Sequence, residues 1–258
     1  MKGLVCAGGE ATRLGELTRV ANKHLLPVGS WPMIYYPLQL LERAGVESVL
    51  VVTGQGHAGQ MIDLLGDGRL AERGSDRPLI SLDLTYKVQT QAGGIAQVVG
   101  MARDFAQGES LVVVLGDNIF ERSQAAAIAA WADRPDRAQI FVKEVPDPEN
   151  FGVVVYDGEG RVTDIVEKAG VVDTRYAEPP SRHAVVGLYC FPPDVFDVIA
   201  ALEPSSRGEL EITDVNRRYA LDGRLDVVQV EGWWEDAGKH WGHLAEIGRL
   251  VEQTGANE

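Results

Sequence analysis

The stretch "SLVVVLGDN", Ser110–Asn118, sets five aliphatic side chains in a row, Leu111 to Leu115, ahead of a glycine and an acid. A run so short and so continuous reads as a strand buried on both faces, the kind found inside a parallel sheet. Outward from it the chain alternates. "GLVCA" (3–7) is a second buried-strand run and ends in a glycine turn. "YYPLQLLERAG" (35–45) has Leu38, Leu41 and Ala44 at helical spacing with Gly45 as its stop. "SVLVVT" (48–53) is a strand, "HAGQMIDLLG" (57–66) a short helix, "LDLTYKVQ" (82–89) a strand and "GGIAQVVGMARDFA" (93–106) a helix. This rhythm predicts a three-layer α/β fold, a mostly parallel Rossmann-like sheet with helices on both faces.

After about residue 145 the texture changes. "FGVVVYDGEGRVTDIVEK" (151–168) reads as a hairpin turning at Asp157-Gly158, "HAVVGLYCF" (183–191) as a strand and "PPDVFDVIAAL" (192–202) as a helix opened by prolines. "GELEITDVNRRYALDG" (208–223) looks helical, "LDVVQVEG" (225–232) is a strand, and "KHWGHLAEIGRLVEQ" (239–253) is an amphipathic helix. With no linker long enough to part domains, the chain reads as one domain over 1–258. Its core spans about 1–145 plus the C-terminal residues, and an antiparallel lobe spans about 146–231.

Composition narrows the function. The 258 residues are 45% hydrophobic and 24% charged, as in ordinary globular proteins, and the formal net charge is −14. That balance argues against a nucleic-acid surface. No apolar run approaches the roughly 20 residues that cross a bilayer, and the N-terminal run is too short for a secretory signal. Cys6 and Cys190 each sit in a strand-like run and read as reduced core residues, so a cytoplasmic protein is expected. An anionic ligand must be captured locally, by a few cations, backbone N–H groups or a metal.

The first βα turn suits such capture. Gly8 and Gly9 let N–H groups approach an anion, Thr12 adds a hydroxyl, Arg13 offers a fork of donors and Lys23 a compact charge. Spacing alone does not separate this reading from a glycine turn with surface cations, and the P-loop pattern is absent. Asp117, at the tip of the central run, is placed to hold Mg²⁺ or to satisfy its own turn. Asp236 in "GWWEDAG" (232–238) reads either as a ligand or as the cap of the last helix. Glu167 and Lys168 close a strand, and an edge-strand charge pair on a solvated face is the ordinary explanation of them. "GQGHAG" (54–59) matches G-x-G-x-x-G, but the next strand ends in Lys87–Thr90 with no acid for a ribose, so it reads as a permissive turn rather than a dinucleotide fingerprint. A nicotinamide dehydrogenase loses ground on that account. The five histidines show no metal-ligand spacing, and Trp233 and Trp234 read as core.

Together these fragments say more. "AGGEATRL", "NKHLLPV", "PMIYYPL", "AGGIAQ", "LGDNIF", "FGVV", "EK", "VVGLY", "RGELEITDVN" and "WWEDAG" follow one another from residue 7 to 238. The chain closely resembles the sugar-1-phosphate nucleotidylyltransferases, and within them the glucose-1-phosphate thymidylyltransferases. The resemblance implies transfer of a nucleotidyl group from dTTP to α-D-glucose 1-phosphate. By the same likeness Ala7, Gly8, Gly9, Thr12, Arg13, Gln89 and Gly94 would bind the nucleotide, with Arg13, Lys23 and Asp117 catalytic. Asp117 and Asp236 would hold Mg²⁺, and Gly152, Glu167, Lys168 and Gly187 would bind the sugar phosphate. The expected partners are these two small molecules, with no nucleic acid or membrane, and a homo-oligomer is left open. UTP, CTP or another sugar phosphate would serve the same chemistry. A catalytically silent sensor would be free to lose its metal site, and Asp117 and Asp236 are both present. Glu10-Ala11 stands where a small residue and glycine are usual, Gly15-Glu16 where a basic residue or proline is frequent, "EKA" where "EKP" is, and "EDAG" where "LDTG" is. These departures touch the choice of sugar and spare the supposed phosphate and metal ligands. The extra C-terminal helices of longer members, and any regulatory site built from them, are expected to be absent.

Overall fold

The structure, a computed structural model, describes residues 1–9, 21–72, 74 and 76–258. The chain gathers into two compact units, one of Met1–Ala92, Val112–Ala130 and Glu231–Glu258, the other of Gly93–Leu111 and Trp131–Val230.

In the first unit the apolar runs form a sheet as their continuity requires. β1 (Lys2–Ala7) pairs in parallel with β2 (Ser48–Gly54), and β2 in parallel with β3 (Asp83–Gln89). β4 (Leu111–Leu115), which enters this unit at Val112, lies on the other side of β1. The layer is tight: Leu4, Val5, Val49, Val51, Val52 and Val112 to Val114 are sealed from solvent. The helix Tyr35–Arg43 turns Tyr36, Leu38, Leu40 and Leu41 inward. Gly3 admits it, because a Cβ there would meet Val49, Val46 and Leu41 at 2.9 to 3.1 Å.

Two short strands finish this unit. Asn118–Phe120 pairs antiparallel with Trp234–Asp236, so that Asp236 stands opposite Asn118. The buried Trp234 indole donates to Asn118 Oδ1 at 2.7 Å. Below them Val28, Met33, Tyr36, Ile119, Ala237, Leu244 and Ile247 form one apolar cluster, which docks the final helix, Trp241–Thr254.

The second unit is mainly antiparallel. β5 (Ala138–Glu144) runs against β8 (His183–Phe191), and β6 (Gly152–Tyr156) runs against β7 (Val162–Glu167) and β8. β9 (Leu225–Gln229) alone joins β5 in parallel. Tyr189, Phe191 and Tyr219 stack in sequence with ring centroids 5.8 and 6.1 Å apart. The hairpin turns where the sequence indicates, with Gly160 at φ 79°.

Two segments differ from the sequence reading. The expected helix 93–106 is two pieces, Ile95–Gly100 and Arg103–Ala106, because the chain tightens after Gly100 and the Ala102 N–H turns to the Val99 carbonyl. The helix read over 208–223 starts at Ile212, since Leu210 spends its N–H on the Gly93 carbonyl and its own carbonyl on Ala96. Those two bonds fasten 93–96 to the lobe, so this passage joins the second unit. Among the described residues no helix is long and apolar enough to cross a membrane.

Trp234→Phe is expected to lower unfolding free energy by about 1–3 kcal/mol, since Asn118 Oδ1 loses its donor in a buried setting. Chemical denaturation checks this, and an unchanged midpoint would show that the bond adds nothing.

Candidate active site

β1 and β4 end side by side, the Gly116 N–H donating to the Cys6 carbonyl at 3.0 Å. Asp117 thus emerges next to the end of β1. Lys23 reaches it from a single 3₁₀ turn, Lys23–Leu25, and Asn22 is what aims that turn. The Asn22 Oδ1 accepts the His24 N–H at 2.9 Å, and its amide donates to the Ala7 carbonyl at 3.1 Å. His24 lies flush on Gly116, where a Cβ would stand 2.6 Å from the imidazole. Burial, then the charge of Lys23, pulls the imidazole down to about 3, so it is neutral packing.

The Lys23 ammonium donates to Asp117 Oδ2, and Asn118 donates to Asp117 Oδ1 at 3.0 Å. Asp117 therefore does not serve its own turn. Asp236 is no helix cap either: the cap of the last helix is His240, which accepts the His243 N–H, while Asp236 Oδ1 takes the Gly238 N–H at 2.8 Å. A Cβ placed on Gly238 would lie 2.8 Å from Asp117 Oδ2, 2.9 Å from Lys23 Nζ and 3.0 Å from Asp236 Oδ1. One ammonium and two carboxylates thus converge on a single point.

The electrostatics are lopsided. Burial pushes the Asp117 carboxyl up, but the charge and hydrogen bond of Lys23 outweigh it and hold the group at about 2. Asp236 is pushed up, by burial first and by the charge of Asp117 second. Among the described residues the charges of Lys23 and Lys239 act on Asp236 without outweighing burial and Asp117, so the cluster keeps an excess of negative charge. Among the described residues no three His, Cys, Asp or Glu side chains could hold a metal by themselves. Two carboxylates are the donor set of a Mg²⁺ ion whose remaining ligands are water and phosphate oxygens. The residues fit such an ion.

Beside this cluster a pocket of about 320 Å³ is lined by Gly9, the turn 54–57 and Gln89 with the three residues after it. All lie at the carboxyl ends of strands, where open α/β sheets bind ligands. Gly8 allows the closest approach, since a Cβ there would sit 2.6 Å from Gln89 Oε1. Gly9 follows at φ 97°. The turn of "GQGHAG" belongs to this pocket without being a dinucleotide fingerprint, which sequence reasoning did not foresee. Thr12 and Arg13 lie outside the described residues.

The second unit holds the other expected group. Glu167 ends β7, and Thr213, on the first turn of the helix Ile212–Leu221, donates to its Oε2 at 2.5 Å. Gly152, opposite Glu167 in the hairpin, leaves the space: a Cβ would meet Thr213 Oγ1 at 3.0 Å and Glu167 Oε2 at 3.1 Å. Burial pushes the Glu167 carboxyl up. Lys168 follows with φ 42°, a left-handed conformation that costs a lysine of order 1–3 kcal/mol. Arg207, which sequence reasoning did not single out, forks onto Glu211 at 2.8 and 3.1 Å with its Nη2 3.7 Å from Glu167 Oε1. Its signal was the motif "RGELEITDVN" itself. Gly187 sits in β8 where Ile140 pairs with Tyr189 but Val142 with Val185, a bulge of the kind that often flanks sites. Gly94, at φ 89°, belongs to this unit, and a Cβ on it would strike the Leu210 carbonyl at 2.3 Å.

Residues 2–253 match the nucleotidyl transferase family, and the chain belongs to it. It is similar to the glucose-1-phosphate thymidylyltransferase of Xanthomonas campestris, 40% identical over 97% of this chain and 80% of the relative. It is also similar to the low-salt glycan biosynthesis nucleotidyltransferase Agl11 of Haloferax volcanii, 38% identical over 93% of this chain and 63% of that one. A solved structure of a Bacillus anthracis candidate glucose-1-phosphate thymidylyltransferase, in complex with sucrose, superposes with a TM-score of 0.84 at 38% identity, covering 97% of this chain and 95% of that one. The protein is thus a nucleotidyltransferase of the sugar-1-phosphate class.

Gly238→Ala is expected to leave the fold intact and cut turnover at least about 10²-fold, because its methyl would fill the point where Lys23, Asp117 and Asp236 meet. Steady-state kinetics beside a thermal melt checks this; native turnover would mean the point is not used.

Proposed function

We propose that the protein transfers the thymidylyl group of dTTP to α-D-glucose 1-phosphate, releasing pyrophosphate and giving dTDP-glucose, in the cytoplasm. The observation that carries the reading is the convergence of Lys23, Asp117 and Asp236 at Gly238. Similarity to thymidylyltransferases over nearly the whole chain supports the choice of nucleotide and sugar.

A phosphate oxygen of the sugar phosphate attacks the α-phosphorus in line, forming one P–O bond as the bond to the pyrophosphate bridge breaks. The attacking oxygen is already ionised, so neither a protein nucleophile nor a general base is needed. Catalysis is then positioning and charge neutralisation. Lys23, pinned by Asp117, offers a fixed ammonium to the reacting phosphates, joined by Arg13. Asp117 and Asp236 would hold Mg²⁺, which when bound neutralises charge on the triphosphate oxygens. Ala7, Gly8 and Gly9 lend backbone N–H groups to the triphosphate, with the Thr12 hydroxyl. The Gln89 amide, with a donor and an acceptor, pairs with the O4 and N3–H edge of the base, and Gly94 lends its backbone. Glu167 accepts from sugar hydroxyls and Lys168 holds the sugar phosphate, with Gly152 and Gly187 leaving room. Arg207, beside Glu167, adds a second cation on that side.

Asp117→Asn and Asp236→Asn should each fold and lose at least about 10²-fold in kcat, and chelation of the native enzyme should do the same. Near-native rates in either variant at saturating Mg²⁺ would sink the metal assignment.

Thymine and uracil offer Gln89 one hydrogen-bond pattern, whereas cytosine reverses it. A methyl is worth roughly 1–3 kcal/mol, and a reversed pattern costs far more. The expected order of kcat/KM is dTTP, then UTP by a modest factor, with CTP, ATP and GTP poor. Gln89→Leu should relax rejection of CTP more than it alters the dTTP-to-UTP ratio. A native preference for CTP or a purine overturns the thymidylyl reading.

A further inference from the structure

Glu167 and Lys168 are followed by a loop, 169–182, that doubles back on its own strand. The Asp173 N–H donates to the Glu167 carbonyl, the Gly170 N–H to the Asp173 carbonyl, and the Val171 and Val172 N–H groups both to the Lys168 carbonyl, each at 3.0 Å. Lys168 thus heads a tight turn in a strained backbone state, which persists only when its surroundings over-determine it.

One side chain closes that turn. The Arg175 backbone N–H and Nε donate to Asp173 Oδ1 at 3.1 and 2.9 Å, its Nη2 donates to Asp173 Oδ2, and its Nη1 donates to Asp164 Oδ2 at 2.7 Å. Asp164 lies in β7 three residues before Glu167 and is 8% exposed. Its second oxygen meets Arg217 Nε at 2.8 Å, and Arg217 stands four residues beyond Thr213 on the helix whose first turn hydrogen-bonds Glu167. The guanidinium also lies 5.6 Å from the ring centre of Tyr176, which packs on Val153, Val166 and Ala169. Loop and strand are held by one planar fork, a geometry that lysine cannot reproduce, and the helix is tied to Asp164 through the Arg217 charge.

We propose that Arg175 is a positioning residue for the sugar-phosphate half-site: it touches no substrate, and by clamping Asp173 to Asp164 it keeps Lys168 in its left-handed turn with the ammonium aimed at the phosphate. The inference rests on the sugar-phosphate role given to Glu167 and Lys168 above. It predicts a selective defect, since nothing in the clamp belongs to the unit that carries Lys23, Asp117 and Asp236.

The test compares Arg175→Ala, Arg175→Lys and, as a control, Arg161→Ala, whose arginine pairs, among the described residues, with Asp157 and Glu159 of the exposed hairpin turn. In Arg175→Ala the amides of Lys168, Val171, Val172 and Asp173 should exchange with solvent about tenfold faster or more. KM for glucose 1-phosphate should rise about tenfold, while KM for the triphosphate stays within about twofold. Arg175→Lys should recover only part of both effects, and Arg161→Ala should match the native protein. Unchanged exchange overturns the proposal, as does faster exchange with both KM values unmoved or raised alike. If the native protein turns over glucose 1-phosphate with no nucleoside triphosphate, the functional reading fails instead, and the exchange data still decide whether Arg175 holds the turn.

Discussion

The contact between Lys23 and Asp117 is the constraint around which the first unit is organised. Two charges taken out of water cost several kcal/mol each unless they are paired and their remaining hydrogen-bonding groups are met. The neighbourhood supplies those partners: Asn118 serves the second Asp117 oxygen, Asn22 aims the turn that presents Lys23, and neutral His24 fills the space over Gly116. Asp236 then arrives opposite, and among the described residues the charges of Lys23, shared with Asp117, and of Lys239 offset its own only in part. A pair would have been neutral; the third charge leaves a deficit. For a folded protein that is a local cost, and its own burial first, with the charge of Asp117 second, is why Asp236 is pushed up rather than down. Under the proposed function this cost is what makes the point receptive to a divalent ion.

The three residues come from segments far apart in the chain: the Asn22 side chain aims the turn of Lys23, and backbone pairing brings Asp117 and Asp236 together. Asp117 is carried by the end of β4. Asp236 is carried by a three-residue strand whose register against Asn118–Phe120 is backed by the Trp234–Asn118 bond. A one-residue slip in so short a strand would point Asp236 to the other face. The apolar cluster under the pair, with Ile119 from one strand and Ala237 just after the other, guards against the slip by seating the final helix on them.

Legibility followed the type of signal. Continuous aliphatic runs such as Leu111–Leu115 and Val49–Val52 can be little other than buried strands, so the parallel sheet and the strand-end position of Asp117 were readable from residues alone. What was not readable needed a partner remote in sequence. Asn22, Thr213 and Gly238 are ordinary residues until the segments opposite them are known. Helical spacing over 93–106 and 208–223 was real, yet a tightening after Gly100 split the first helix and the bonds of Leu210 to Gly93 and Ala96 delayed the start of the second. Glu167 and Lys168 looked like an edge pair because a sequence does not reveal that Lys168 is held left-handed or that Thr213 meets the carboxyl.

An acidic chain that must capture anions faces one more difficulty, visible in both units. Neither Lys23 nor Arg207 is a spare cation: the first is engaged by Asp117, the second by the fork of Glu211 and the nearby Glu167. Under the proposed function an incoming phosphate competes with carboxylates already in place, and gains only the difference between two charge-assisted contacts. Pre-pairing has a compensation, since a side chain held in advance loses little rotamer freedom on binding. The sequence, at a net charge of −14, is thus consistent with sites that trade raw attraction for orientation. Attraction must then come from what the substrates bring with them or from an ion bound beside them, and the unmet charge of Asp117 and Asp236 is where the first unit leaves room for it.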